Sequence, residues 1–477
     1  MTSDQLFIDG HFVDAASGAT RPLIDPGTEE VLATLPFGDA TDAQRALDAA
    51  ARALPAWSKK TVYERTALLE KAAEIIASRV ADYAPRTARE SGKPLSQARA
   101  EWAGAPGYLR VAAEQARSLG GRVVPARHGA RRIDVTYRPV GVVGVITAWN
   151  FPVYNPNRAV ASALAAGCTV VLRPSEFTPR SAFDYARAFA DAGLPPGVLN
   201  VIHGDPAGMA QVMLEDPRCR KLAFTGSTRV GRLLMEGAAR TITRLSLELG
   251  GNAPVIVMPD VDVEAVATSA VVAKLRNAGQ VCIAPQRFYV HAAIVDAFTA
   301  AARDAMATEV LGHALEPSTT VGPLINEAQR ARVARIVDAS VAVGARLVCG
   351  GVARPGPGFF YEPTILTDVP AHAPILREEV FGPVLPIVPF HDINHAIASA
   401  NDSEHGLAGY VWTRDLTSAT QLAEALECGL VGINDWYPVA PEAPFGGVKQ
   451  SGMGRESGLE GVLEYVDVKA RFTGLGA

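Results

Sequence analysis

The chain is poor in cysteine, with 5 in 477 residues, and it lacks a Cys-x-x-Cys pair or a Cys/His cluster. That scarcity excludes a disulfide scaffold, the odd count leaves a free thiol, and no metal site is expected. A charge excess is missing as well: 45 Lys and Arg against 50 Asp and Glu give a net charge of −5. So mild an acidity leaves no electrostatic footprint for nucleic acid or an anionic membrane. Long apolar runs are absent. The stretch from Ala159 to Leu172 ends at Arg173 after about 14 residues, short of the ~20 that span a bilayer. The opening residues, MTSDQLFIDG, show neither a basic nor an apolar signal region. Repeats and low-complexity tracts are lacking, which argues against a solenoid. These absences point to a reduced cytoplasmic protein with no nucleic-acid or membrane partner.

What is present is apolar: 48% of residues against 20% charged, enough to bury a large core. The length suits roughly two to four domains. Helical patterning dominates the first ~120 residues, with Ala, Leu and Ile at three-to-four spacing in Arg45–Trp57 and Tyr63–Tyr83. Ser91-Gly92-Lys93-Pro94 reads as a helix stop. From about Val140, β-rich runs alternate with helical stretches. The runs are Val142–Ala148, Thr169–Leu172, Val198–Ile202, Leu222–Thr225 and Pro254–Met258. Helical patterns fill the gaps at Arg158–Ala166, Ser181–Ala192 and Arg229–Ala239, and a second alternating region runs from Val263 to Leu430. This alternation predicts an α/β fold of two doubly wound parallel-sheet lobes with a ligand cleft between them.

Several motifs sit at the predicted strand ends, each with a plain alternative. Phe224-Thr225-Gly226-Ser227-Thr228-Arg229-Val230-Gly231 leaves a strand and opens a helix, a setting for a pyrophosphate or simply a strand–helix turn. Glu176 in Arg173-Pro174-Ser175-Glu176 suits a ribose diol or a helix cap. Cys282 follows the polar, Gly-containing stretch Asn277–Val281, the setting a nucleophilic thiol needs. Cys168 and Cys428 read as small core residues, Cys219 as an exposed bystander between arginines, and Cys349 has no visible partner. Glu248, beside Gly250 and Gly251, is a candidate general base or a solvated carboxylate. Asn150, after Trp149, offers an amide donor for an oxyanion, or forms a turn.

Taken in order, these blocks resemble the NAD(P)-dependent aldehyde dehydrogenase superfamily over nearly the whole chain. The matching blocks are Trp149–Pro152, Arg173–Glu176, Phe224–Gly231, Glu248–Gly251, Gly279–Cys282, Glu378–Pro383 and Pro444–Gly452, the last continuing through Gly454-Arg455-Glu456. The resemblance implies Cys282 as nucleophile, Asn150 with the Cys282 N–H as oxyanion donors, and Glu248 as the base that hydrolyses a thioester. It places Ser227 on the pyrophosphate, Glu379 on the nicotinamide ribose and Phe381 near that ring. Ile146, Trp149, Arg173, Ser175, Glu176, Gly204, Gly226, Gly231 and Leu249 complete the implied NAD site. Arg173 stands where the family usually has Lys, and Ala148 where it has Pro. Glu176 favours NAD, and Arg173 leaves NADP open.

The same resemblance implies a cofactor-binding domain (1–121 and 141–249) and a catalytic domain (250–443). Oligomerisation segments at 122–140 and 461–477 form a small β flap, and 444–460 returns to the active-site rim. A homodimer or homotetramer is expected, since the tail Tyr465–Lys469 alternates like an edge strand, which a partner or the chain's own sheet must cover. Arg158 and Arg276 would face substrate, with Tyr437 and Phe445 nearby, and two guanidiniums suit a distal carboxylate. The segment Lys274–Gln280 is similar to succinate-semialdehyde dehydrogenases and to 2-oxoglutarate-semialdehyde dehydrogenases. Trp436 and Tyr437 instead suggest room for an aromatic or hydroxy-aldehyde. A non-catalytic use of the fold is the reading from a different class, opposed by the presence of Cys282, Glu248 and Asn150 together.

Overall fold

The computed structural model describes residues 4–127 and 129–475. The start of the opening segment (1–3) and, within the flap segments, 128 and 476–477 lie outside the described residues. Two sheets organise the α/β fold. The larger has eight strands in the order His11–Val13, Leu6–Ile8, Leu199–Val201, Thr169–Arg173, Val142–Ile146, Cys219–Thr225, Arg244–Glu248 and Gly452–Met453. Its middle five are parallel. Val142–Ile146 and Thr169–Arg173 are buried at every position, as strands sheathed by helices on both faces must be. From Val142–Ile146 the chain first builds to one side, through Thr169–Arg173 and Leu199–Val201. It then crosses to build the other side. The carboxyl ends of Val142–Ile146 and Cys219–Thr225 part at that switch point and open a crevice.

The second sheet has seven strands, in the order Arg346–Cys349, Thr364–Thr367, Val384–Phe390, Pro285–His291, Ala253–Val257, Ala408–Trp412 and Leu430–Ile433. All neighbours are parallel except the first pair. Glu248 ends a strand of the first sheet and Ala253 begins one of the second. This short connection sets the carboxyl ends of one sheet against the amino ends of the other. A third, antiparallel sheet joins Val466–Gly474 to Arg131–Pro139 and Arg122–Val124. The tail strand therefore closes the chain's own sheet along one edge, and its other edge has no partner among the described residues.

The structure departs from the sequence reading in four places. Residues 6–36 hold four short strands, not helix: Leu6–Ile8 and His11–Val13 are too short to show a period, and Thr20–Ile24 and Val31–Pro36 are too exposed to read as apolar runs. The helix expected over Tyr63–Tyr83 is broken at Arg79, between Val62–Ser78 and Val80–Ser91. Arg79 leaves helical geometry there and its guanidinium is held by Tyr83 and Asp191. Cys219 is buried rather than exposed, because strand alternation turns Arg220 outward and the thiol inward. Burial pushes that thiol up to about 12. Cys428, expected in the core, is only half-buried beyond the helix Leu416–Ala425.

Candidate active site

Two cavities meet at Cys282, which lines both. Its loop is built from an unusual run: Asn277, Ala278 and Gly279 all take left-handed φ values of 48°, 53° and 73°. Gly279 is required, since a Cβ there would lie 2.1 Å from the Gly382 carbonyl oxygen. Ala278 holds its strained geometry because the loop is braced around it. Gln280 Nε2 donates to the Asn277 carbonyl at 3.0 Å, and its Oε1 accepts from Ile325 N–H at 2.9 Å. Asn277 N–H donates to Gln97 Oε1 at 2.8 Å. Burial pushes the half-buried Cys282 thiol up to about 12, while Arg158 pulls it down and Glu379 and Glu248 push it further up. As placed, it is a thiol.

Asn150 lies in the loop after Val142–Ile146, at the switch point. Its Nδ2 donates to the Gln280 carbonyl at 3.1 Å, and its Oδ1 accepts from Asn155 Nδ2 at 3.0 Å. Its own carbonyl accepts from Lys93 Nζ at 2.8 Å and from Asn277 Nδ2 at 3.0 Å. Lys93 pairs in turn with Glu101, whose Oε1 accepts from the N–H groups of Val153 and Tyr154 at 2.9 and 3.0 Å. Glu248 ends the strand Arg244–Glu248 and is buried, not solvated. Neither carboxyl oxygen has a hydrogen-bond partner among the described residues, and burial, followed by the nearby Glu456, raises its pKa well above the usual range.

The first cavity, about 200 Å³, is lined by Trp149, Gly226, Ser227, Leu249, Glu379 and Phe381 besides Asn150, Glu248 and Cys282. Its residues fit a dinucleotide. Ser227 caps the helix Thr228–Ala238, whose first turn opens on the cavity beside Gly226. A Cβ on Gly250 would lie 2.5 Å from Glu379 Oε2, so the backbone there leaves space only for the carboxylate. Glu379 accepts from Gly251 N–H at 3.0 Å, and burial pushes it up to about 7. Ile146, Arg173, Ser175, Glu176 and Gly204 gather beyond this cavity at the carboxyl ends of the central strands. There Arg173 Nη2 reaches both Glu176 Oε2 and the Gly204 carbonyl at 3.0 Å. Gly231 sits inside its helix against Leu249 and does not line the cavity.

The second cavity, about 260 Å³, is walled by Tyr108, Phe151, Tyr154, Tyr437 and Phe445, with Arg158 and Arg276 among them. The two arginines differ. Arg158 is buried, its Nε 3.1 Å from Glu456 Oε2 and its Nη2 donating to Asn155 Oδ1 at 2.9 Å. Arg276 has no acidic partner among the described residues and stacks on the rings of Phe151 and Tyr437 at 5.0 and 5.4 Å. Trp436 turns away from this cavity into the catalytic lobe, against Tyr410 and Trp412, its Nε1 donating to Ser269 Oγ at 3.0 Å. Sequence reasoning missed Asn155, Lys93 and Glu101, and saw Glu456 only as part of a motif. Their partners lie from 5 to 298 positions away, so no local pattern announces them.

The described residues contain no group of three or more His, Cys, Asp or Glu able to hold a metal, and no helix long and apolar enough to cross a membrane. The aldehyde dehydrogenase family model matches residues 12–471. Among curated proteins, the chain is 41% identical to succinate-semialdehyde dehydrogenase [NADP(+)] of Escherichia coli K12 over 471 residues, covering 99% of this chain and 98% of that protein. It is 41% identical to glutarate-semialdehyde dehydrogenase of Pseudomonas putida, covering 98% and 96%. A solved NADP-dependent enzyme of E. coli superposes with a TM-score of 0.98 at 40% identity, over 99% of this chain and 98% of that one. The match spans both sheets and every block around the two cavities. The chain belongs to the aldehyde dehydrogenase family, whose members are NAD(P)-dependent enzymes.

Proposed function

We propose that this enzyme oxidises a small aldehyde bearing a distal carboxylate, such as succinate semialdehyde, to the corresponding acid. One observation carries the reading: Arg276 presents a guanidinium with no acidic partner among the described residues to the cavity on the far side of Cys282 from the cofactor crevice. Arg158 beside it is already matched by Glu456, so the cavity keeps a net positive charge in a poorly solvated, aromatic wall. Such a site favours an anion, and a guanidinium fork can grip a carboxylate through two hydrogen bonds.

In this reading the Cys282 thiol passes its proton to solvent water, and Sγ adds to the aldehyde carbon as the C=O π pair moves onto oxygen. The oxygen so charged accepts hydrogen bonds from Asn150 Nδ2 and from the Cys282 N–H, which has no other partner among the described residues. The dinucleotide, when bound, supplies the hydride acceptor, and Ser227, Glu379 and Phe381 would hold it. Glu248 then takes a proton from water, which cleaves the Cys282 thioester to the acid. A buried carboxyl that holds its proton cannot act as base, so Glu248 works once water reaches it and the proton is shed. Glu176, held ionised below its usual range despite its burial by the nearby Arg173, repels a 2′-phosphate and supports NAD as the preferred cofactor. The exposed edge of Val466–Gly474 supports a homodimer or homotetramer built through the flap.

Replacing Arg276 with Leu tests the substrate reading. KM for succinate semialdehyde is expected to rise at least about tenfold, the cost of ~1.4 kcal/mol of lost anchoring, while KM for propanal stays level. An equal rise for both aldehydes contradicts the anchor. The five aromatic side chains of the cavity favour one second reading, an aromatic aldehyde. In that case Arg276→Leu leaves turnover of benzaldehyde intact and benzaldehyde is the better substrate throughout.

A further inference from the structure

A primary amide can face either way, and its chemistry reverses when it turns: one side donates, the other only accepts. The oxyanion role of Asn150 requires Nδ2, not Oδ1, on the side of Cys282. We infer that Asn155 is a positioning residue that fixes this orientation, by handing the donor polarity of Arg158 on to the Asn150 amide.

The argument runs along one line of hydrogen bonds. Arg158 has donors and no acceptor, so the Asn155 oxygen must face it, as it does at 2.9 Å from Nη2. That turns Asn155 Nδ2 onto Asn150 Oδ1 at 3.0 Å. Asn150 Nδ2 is thereby directed to the Gln280 carbonyl at 3.1 Å, with its second N–H left for an oxyanion. The line starts at a group that can only donate and ends at one that can only accept. Two amides between such ends have one consistent orientation. Turning either sets oxygen against oxygen or N–H against N–H. Water cannot repair the mismatch, since Asn150 and Asn155 are only 4% and 2% exposed. Arg158 is itself pinned, by Glu456 at 3.1 Å and by the Phe445 ring at 3.9 Å. Successive hydrogen bonds also polarise one another, which strengthens the N–H that Asn150 offers.

The inference rests on reading Asn150 as an oxyanion donor, and the experiment separates the two. Asn155→Asp keeps the shape and still accepts from Arg158, but presents an acceptor to Asn150. Whichever way Asn150 then turns, an oxygen faces an oxygen. The expected result is a fall in kcat for succinate semialdehyde on the order of 10²-fold, comparable to losing one oxyanion donor. The Kd for NAD, read by fluorescence titration, should stay near wild type. Asn150→Ala alone should lose at least as much, and Asn150→Ala with Asn155→Asp should lose no more than Asn150→Ala, since Asn155 acts only through Asn150. Should Asn155→Asp fail to fold, Asn155→Leu is read instead, with a fall of about tenfold that again vanishes in the Asn150→Ala background. A wild-type kcat for the Asn155 variants, or an equal loss with and without Asn150, overturns the inference while leaving the oxyanion reading standing. A wild-type kcat for Asn150→Ala overturns both.

Discussion

Cys282, Glu248 and Asn150 were legible in the sequence as candidates, because each sits in a short block whose residue order is distinctive, and the structure sets all three around one cavity. The protonation of Cys282 and Glu248 was not legible, because it depends on what folds over them. Burial pushes the half-buried Cys282 thiol up to about 12, so its thiolate fraction should rise about tenfold per pH unit through the range below that value. Alkylation of the Cys282 peptide by iodoacetamide, followed by mass spectrometry on the cofactor-free enzyme, is expected to accelerate about 100-fold between pH 7 and pH 9. A plateau reached below pH 8 would show a thiolate already formed. Glu248→Gln separates the two halves of the reaction. It should still give a rapid burst of up to one NADH per site, then stall with the acyl group on Cys282, with steady-state turnover down roughly 10²- to 10⁴-fold. Loss of the burst itself would place Glu248 in the first half instead. Glu456 and Asn155 stayed illegible for a different reason: an acid and an amide gain meaning only from the guanidinium that folding sets between them.

At the scale of elements, the runs buried on both faces were readable, from Val142–Ile146 to Ala253–Val257, because such burial demands continuous apolar sequence. The largely exposed strands Thr20–Ile24 and Val31–Pro36 and the break at Arg79 carry no such signature. The brace under the Asn150 loop is likewise a product of packing: Lys93 ends a turn, Glu101 lies in the helix Leu95–Ser118, and both are about 1% exposed. Removing one partner leaves an uncompensated buried charge, so Lys93→Met should cost about 3–5 kcal/mol in urea unfolding. Lys93→Met with Glu101→Gln should recover part of that loss. If the single variant costs under ~1 kcal/mol, the pair does not brace the loop. A converse case lies between the helix Thr228–Ala238 and the strand Arg244–Glu248. Ile242 takes φ 55° while 89% exposed, a β-branched residue in left-handed geometry with almost no packing to lose. Ile242→Gly should therefore stabilise the protein, by about 0.5–1 kcal/mol after the entropy of glycine is counted. Destabilisation would mean that the side chain makes contacts in an assembly.

The whole molecule was legible as two lobes with a cleft, since alternating strands and helices leave few other arrangements. How the lobes face one another was not. The rule that ligands gather at carboxyl strand ends describes the first sheet, whereas the second offers the amino ends of its strands, with Cys282 just before Pro285–His291. The short span from Glu248 to Ala253 forces that opposition. The tail strand pairs within the chain, yet Val468 and Phe472 on it are 67% and 60% exposed. Val468→Asp with Phe472→Asp should shift a homo-oligomer toward smaller species by light scattering, and an unchanged mass would move the interface elsewhere. The most direct test of the account is a comparison of kcat/KM, by NADH production, for succinate semialdehyde, 2-oxoglutarate semialdehyde, propanal and benzaldehyde. The carboxylated aldehydes should lead by tenfold or more, about 1.4 kcal/mol of discrimination at Arg276. Neutral aldehydes that match or exceed them would contradict the anchored-carboxylate reading.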